Sequence, residues 1–460
     1  MLYSYYNNPI ICFPICGQYN KEDFPMVCDA KRAFAFLDKI GFIRTAGSAE
    51  ELRAAEMIRE ECAAIGVEAH IEEFKIQSGE VEVAELEVLA PYQQKYTVTG
   101  YKRCLDADNL EAELVYIENG ADASLVDGKG KIVLCNSQPR LAVYRKLLEE
   151  GAAGFIAMTG AMRDTEDDSD LPTGMLRKTL TAFGKLPAVS IRMTDAFDMI
   201  SRCACKVRLT VKGKEVELTS RNVVAEIKGT KYPEQIISMG AHYDSVPFST
   251  GVYDNGAGSV ILLEALRHFK ANPPERTMKF MWYGSEEVGL EGSKAYVRDH
   301  EEELKKHLFM VNVDVAAPVI GSESAMVMAS EELTHFVDLY FKMRGYSVAV
   351  KQDIYSSDSI PFADKGVPGI NFCRFAPPGG AYIHNRHDVI KYLSADALEK
   401  TMAYTIDFTD MLVNCVAFPT KREVPKEIVE KVDKYLFKKE MEEAKKLQEE
   451  KDGKKDEEKK

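Results

Sequence analysis

Nowhere in this 460-residue sequence is there an unbroken apolar run long enough to cross a membrane. The start, Met1 to Tyr19, has no Lys or Arg, and Asn7, Asn8, Pro9 and Pro14 interrupt its apolar stretch. A secretory leader with a basic start is therefore not expected. Positive charge is in deficit: 59 Lys and Arg against 73 Asp and Glu give a net charge of -14. That argues against nucleic acid or an anionic membrane as partner. Paired cysteine spacing is missing too. The ten cysteines are scattered, and neither Cys12…Cys16 nor Cys203-Ala204-Cys205 has a second half to complete a metal or disulfide framework. In Ile132-Val133-Leu134-Cys135 the thiol fits as a small core hydrophobe. A soluble cytoplasmic protein is the expectation.

What is present is ample core material, 45% hydrophobic and 29% charged residues, in a length that suggests about two or three domains. Residues 28–66 have helical periodicity, broken near Gly41 to Ser48. Ser48 is a candidate N-cap with Glu51 completing a capping box, and Gly66 a candidate stop. A strand follows over His70 to Ile76. Residues 77–217 change character to short β-like runs with one helix, Arg140 to Glu150, and are expected to form an inserted β-rich domain. From Arg221 strands alternate with helices, which predicts an α/β fold with a mixed central sheet flanked by helices. The discontinuous main domain is thus 1–76 with 218–420. The mixed-charge segment 421–460 is expected to be a partly helical or disordered tail: Pro425 can open a helix and Ile428, Val432, Tyr435 and Leu436 can form a stripe, but nothing apolar follows Leu447. On this reading a chain ending at Thr420 should still fold.

Polar residues cluster at the predicted strand ends, where ligands bind in such folds. His242 ends one strand, and Asp244 is placed to orient its imidazole. Asp254 precedes a helix in Gly251-Val252-Tyr253-Asp254-Asn255-Gly256-Ala257-Gly258; an N-cap role alone explains neither the neighbouring His-x-Asp nor the glycines. Glu286-Glu287 follow the apolar strand ending Trp282-Tyr283, where two unpaired charges would be costly without a cation. Asp314 ends another apolar strand, and Tyr382-Ile383-His384-Asn385-Arg386-His387-Asp388 adds two histidines in a polar loop. Two histidines and three carboxylates from different elements suit zinc. Asp254, central in the set, is placed to bridge two ions, and one glutamate is left over as a general base.

These segments resemble the aminopeptidase Y and glutamate carboxypeptidase family of co-catalytic di-zinc metallopeptidases over residues 28–76 and 218–415. Arg44-Thr45-Ala46-Gly47-Ser48, Asp254-Asn255-Gly256 and Glu286-Glu287 carry the likeness. The resemblance implies two zinc ions per chain, one held by His242 and Asp314, the other by Glu287 and His384, with Asp254 bridging. It implies Asp244 as the orienting residue, Glu286 as base, and a cis peptide after Asp254. Ser357-Asp358-Ser359 departs from the pattern, having Ser where relatives often have His, and Val315-Ala316-Ala317 lacks the Gly usual in third place. The insert resembles a protease-associated domain in the order of Gly128–Leu134, Gly151–Ala157 and Leu186–Ile191, and by analogy would partly cover the cleft.

The expected activity is aminopeptidase hydrolysis of peptides, with Asp358 adding negative charge for a substrate ammonium and Tyr382 a candidate oxyanion donor. The alternative is a carboxypeptidase or dipeptidase in which Arg374 and Arg386 grip a substrate carboxylate. A catalytically inactive binding protein on the same fold ranks last, since every ligand is present.

Overall fold

The computed structural model describes residues 27–118, 128–165 and 167–458, with side chains as far as 450. The leader expectation for Met1 to Tyr19, with Cys12 and Cys16, lies outside the described residues.

The central sheet is mixed. Across it run Val348–Gln352, Ser322–Met328, Gly369–Phe375, His307–Val313, Tyr232–His242, Arg276–Tyr283 and the long strand Lys206–Ile227. The run from Gly369–Phe375 to Arg276–Tyr283 is parallel throughout. Its strands are buried on both faces, which is why they read as unbroken apolar runs such as Phe280-Met281-Trp282-Tyr283. Helices Ala30–Ile40, Ala257–Ala271 and Ala395–Asn414 bury Leu37, Ile261, Leu266, Ile406 and Phe408 against the sheet in the largest core.

Ala69–Ala90 and Lys206–Ile227 pair antiparallel as a ribbon of 22-residue strands running from the central sheet into a second one. No loop separates the two: Ile76 faces Leu218 and Gln77 faces Glu217 within unbroken pairing. Beyond the ribbon, Ala107–Ile117, Ile132–Cys135, Gly154–Thr159 and Ala188–Arg192 run parallel, with Val98–Lys102 antiparallel at the edge beside Gly174–Met175. Alternation along the strands serves two separate cores: Ile132, Leu134 and Ile156 on one face, and Val133 and Phe155 on the other, where Tyr144 and Leu147 of helix Leu141–Glu149 join them.

Two local expectations change. Ser48 does cap helix Ala49–Ile65, accepting the Glu51 N–H at 3.0 Å. Glu51 does not close a capping box on it; its carboxylate is fully buried and accepts the hydroxyls of Ser220 at 2.7 Å and Ser285 at 3.3 Å. The tail takes the helical alternative, with the Pro425 start and the Ile428 and Val432 stripe as expected, and it docks on the body. Helix Lys426–Tyr435 buries Ile428 and Val432 against Leu290, Met328, Ile360 and Ala363, Lys431 pairs with Asp353 at 2.8 Å, and helix Lys438–Glu458 continues past Leu447. Glu443 takes two hydrogen bonds from Arg145 on helix Leu141–Glu149 of the insert, each 2.8 Å. A short apolar stripe was enough because the body offers it an apolar seat.

Candidate metal centre

The parallel pairing brings the carboxyl ends of three strands to one edge. His242 lies beside Tyr283 in the register, so the residues after each strand share a rim. Gly284-Ser285-Glu286-Glu287 leaves one strand and Asp314 the next. His384, with a left-handed φ of 59°, comes from the loop beyond Gly369–Phe375.

Asp254 sits at the centre. Its Oδ1 is 3.1 Å from Nε2 of His242 and its Oδ2 is 3.0 Å from Nε2 of His384. Nε2 of His242 is also 3.6 Å from Asp314 Oδ1, and Nε2 of His384 is 3.1 Å from Glu287 Oε2. The donors thus fall into two groups sharing Asp254: His242, Asp254 and Asp314, and Asp254, Glu287 and His384. His242 is buried, whereas 53% of the His384 side chain is exposed, so the second group opens toward solvent.

The scaffold explains how an aspartate can be spared for this. The helix-capping task falls to Asn255, whose Oδ1 accepts the N–H of Gly258 at 2.9 Å and of Val315 at 3.2 Å, while its amide donates to Val313 at 2.8 Å. A Cβ on Gly258 would lie 2.4 Å from Asn255 Oδ1 and 2.5 Å from the Val313 oxygen, so glycine is required there. The Asp254–Asn255 peptide is cis, as the resemblance implied. Arg44, wholly buried, donates to the main-chain oxygens of Tyr243, Ile40, Phe42, Thr250 and Gly251 and so closes the loop that carries Asp254. Asp388 accepts the N–H groups of Tyr253 at 2.8 Å and Asp254 at 3.2 Å, tying the His384 loop to the same turn.

These residues fit a divalent cation pair. Glu287 Oε1 and Asp314 Oδ1 are buried with no hydrogen-bond partner, and burial of unpaired carboxylates is costly unless a cation offsets it. Burial, with Asp254 adding, pushes the Glu287 carboxyl up to about 7. Glu286 rises well above its usual range, chiefly through burial and against the opposing charge of His242. At His242 burial disfavours the charged form, but Asp244, Asp254 and Asp314 outweigh it and raise the group well above 6.5. Imidazole nitrogen with carboxylate oxygen is a zinc-type donor set.

The remaining expected site residues divide. Asp244 is fully buried between His242 and the main chain of Glu286 and Glu287. Asp358 is also fully buried with both carboxylate oxygens unpartnered, its carboxyl pushed up to about 7 mainly by burial; it belongs to the buried acid group and does not line the cleft. Arg374 is buried and committed: it pairs with Glu323 at 2.7 Å and donates to Pro318 and Val319. Arg386 is held by Asp170 and by the main-chain oxygens of Asp167 and Ser169. Tyr382 packs its ring against His387, Tyr392 and Arg163 and does not line the cleft either. Sequence reasoning missed Glu51, the role of Arg44, and Lys102 and Arg177; the last two gave no local signal because the insert alone brings them to the site.

A cleft of about 590 Å³ separates the inserted sheet from the metal centre, with Glu287, His384 and Phe248 on one side and Lys102, Gln138 and Arg177 on the other.

Residues 222–409 match the family model described as Peptidase family M28. The chain is 26% identical over 407 residues to Aminopeptidase YwaD of Bacillus subtilis, covering 83% of this chain and 85% of that one. It is 27% identical over 329 residues to Carboxypeptidase Q of Bos taurus, covering 66% and 69%. In three dimensions it is similar to BSAP, a zinc aminopeptidase from Bacillus subtilis, with a TM-score of 0.69 and 23% identity over 88% of this chain and 99% of that one. The likeness in fold spans the central sheet and the insert together.

Proposed function

We propose that this chain, whose residues 222–409 match Peptidase family M28, is a zinc aminopeptidase that holds two zinc ions and uses Glu286 as its general base. His242 and Asp314 would hold one ion, Glu287 and His384 the other, and Asp254 would bridge. Such a pair, when bound, polarises the scissile carbonyl and lowers the pKa of a shared water toward neutrality.

The chain's own residues do the rest. Asp244 fixes His242 and the main chain of the two glutamates, so the ligand atoms need not reorganise. Glu286 accepts the proton that the attacking water loses as its oxygen bonds to the carbonyl carbon. It returns that proton to the amide nitrogen as the carbon–nitrogen bond breaks. The inserted sheet, read here as a protease-associated module over 77–217, covers the cleft and narrows the entry of bulk water.

The observation that supports the amino direction is the surplus of carboxylates at the centre, and the two clamps named from the sequence are committed elsewhere. Arg374 pairs with Glu323, and Arg386 with Asp170. Neither is free to grip a substrate carboxylate beside the scissile bond. The surplus of carboxylates at the centre is instead suited to a substrate ammonium. The aminopeptidase named among the relatives supports the same reading, while the carboxypeptidases there keep the other as the alternative.

The test compares a short peptide with its N-acetylated and C-amidated forms. An aminopeptidase loses the acetylated substrate and still cleaves the amidated one. Release of a carboxyl-terminal residue from the acetylated peptide would overturn the assignment. Elemental analysis of zinc-supplied protein should approach two equivalents per chain; a plateau at one would remove the two-ion reading.

A further inference from the structure

Lys102 and Arg177 reach the cleft by the folding of the insert. Val98–Lys102 pairs with Gly174–Met175 so that Lys102 lies opposite Met175, and the Leu176 N–H donates to the Lys102 oxygen at 3.1 Å. Arg177 follows directly. It crosses to the peptidase body, where Nη2 donates to the main-chain oxygen of Glu287 at 2.8 Å. Both residues line the cleft that opens on Glu287 and His384.

The other charges on these walls are accounted for. Asp170 and Asp168 pair with Arg386, Asp164 accepts the Ala161 N–H at 2.7 Å, and Arg163 lies over the Tyr382 ring at 5.5 Å. Among the described residues neither Lys102 nor Arg177 pairs with a carboxylate. Two cations that face a cleft, opposite a cluster rich in carboxylates and without acidic partners of their own, are placed to receive an anion. Arg177 bonds only a neutral oxygen through one nitrogen, leaving donors for a second acceptor.

We propose that Lys102 and Arg177 bind the free carboxylate of the substrate, making this an enzyme for short peptides whose two ends are both read within one cleft. The proposal rests on the aminopeptidase reading: the amino end meets the carboxylates at the metal centre and the far end meets the insert. A cleft of about 590 Å³ is of the size that encloses a ligand of a few residues rather than a long chain. The insert then acts as a gauge of length and not merely as a cover. A long peptide carries its terminal carboxylate beyond the cleft and forfeits the contact.

The experiment measures kcat/KM for unblocked peptides of two to six residues, each as the free acid and as the C-terminal amide, in wild type and in a Lys102→Met/Arg177→Gln variant. Glutamine at 177 carries no charge and is two bonds too short to keep the contact with the Glu287 oxygen, so zinc content is assayed alongside. Lys102→Met alone is the second variant, since it touches no residue of the metal centre. Wild type should favour the acid over the amide by about tenfold for the shortest peptides, the size of one charge-assisted contact, with the preference fading as length grows. The acid-to-amide ratio should fall to about one in the double variant and partway in the single. An acid-to-amide ratio near one in wild type, or a wild-type ratio surviving in the double variant with zinc intact, overturns the proposal while leaving the aminopeptidase assignment standing. Cleavage of N-acetylated peptides from their carboxyl end overturns that assignment instead, and a loss of this cleavage in the variant would still locate the carboxylate at Lys102 and Arg177.

Discussion

Oδ1 of Asp244 accepts the main-chain N–H of Glu286 at 3.0 Å. The same oxygen lies 3.4 Å from Nδ1 of His242, long for a hydrogen bond, and Oδ2 accepts the N–H of Glu287 at 3.3 Å. One buried carboxylate therefore holds the main chain of both neighbouring glutamates and lies against the His242 imidazole. Asp244→Asn can accept at one atom only. It should weaken zinc binding about 10- to 100-fold and lower kcat with it. Competition titration with a zinc indicator checks this; unchanged zinc affinity would reduce Asp244 to a packing residue.

The adjacent glutamates should separate cleanly. Glu287 is 3.1 Å from His384 within one donor group, while Glu286 belongs to neither. Glu286→Gln should keep its zinc and lose about 10²- to 10⁴-fold in kcat. Glu287→Gln should lose part of the zinc itself. Normal turnover by Glu286→Gln would remove it as the base.

Removing the metal should make stability pH-dependent. Without a cation, burial with Asp254 pushes the Glu287 carboxyl up to about 7, and burial, against the charge of His242, pushes that of Asp358 to about 7. For a carboxyl raised in the folded state, the stability it lends is complete below the unfolded value, near 4, and is lost as pH rises through the folded one. The unfolding free energy of chelated protein should therefore fall between about pH 4.5 and 7, by at most about 1.4 kcal/mol per group per pH unit, and its Tm with it. Zinc-loaded protein, whose ligand carboxylates are already ionised against the cation, should show a flatter profile. Parallel curves for the two forms would mean that no cation balances these acids.

The tail should matter to stability. Ile428 and Val432 are each 1% exposed, seated on Leu290, which follows the two glutamates, and on Ile360 and Ala363, which follow Asp358. Ile428→Ala should cost about 2–4 kcal/mol by denaturant titration, and a chain ending at Thr420 should be markedly destabilised. A truncated chain with an unchanged midpoint would show that the helix merely rests on the surface.

Much of this was legible in the sequence because it is written locally. Apolar runs such as Met278 to Tyr283 and Leu308 to Val313 mark strands buried on both faces, and a carboxylate directly after such a run is too costly to be incidental. Position at the element ends singled out His242, Asp254, the Glu286-Glu287 pair, Asp314 and the histidine loop before any distance was known, and the resemblance chose Glu287 and His384 among them. The Gly66 stop and the Ser48 cap were local in the same way. What the sequence could not decide was which charges cancel. Arg374 and Arg386 could be clamps or partners of nearby acids, and Glu323 and Asp170, 51 and 216 residues away along the chain, decide for the second. Lys102 and Arg177 carried no motif, yet strand pairing within the insert carries them to the cleft. Glu51 read as a cap residue and Ile428 as part of a tail because burial depends on what packs against a residue. Local pattern determines elements and the polar residues at their ends; long-range packing alone decides which of those residues remain unpaired and face the cleft.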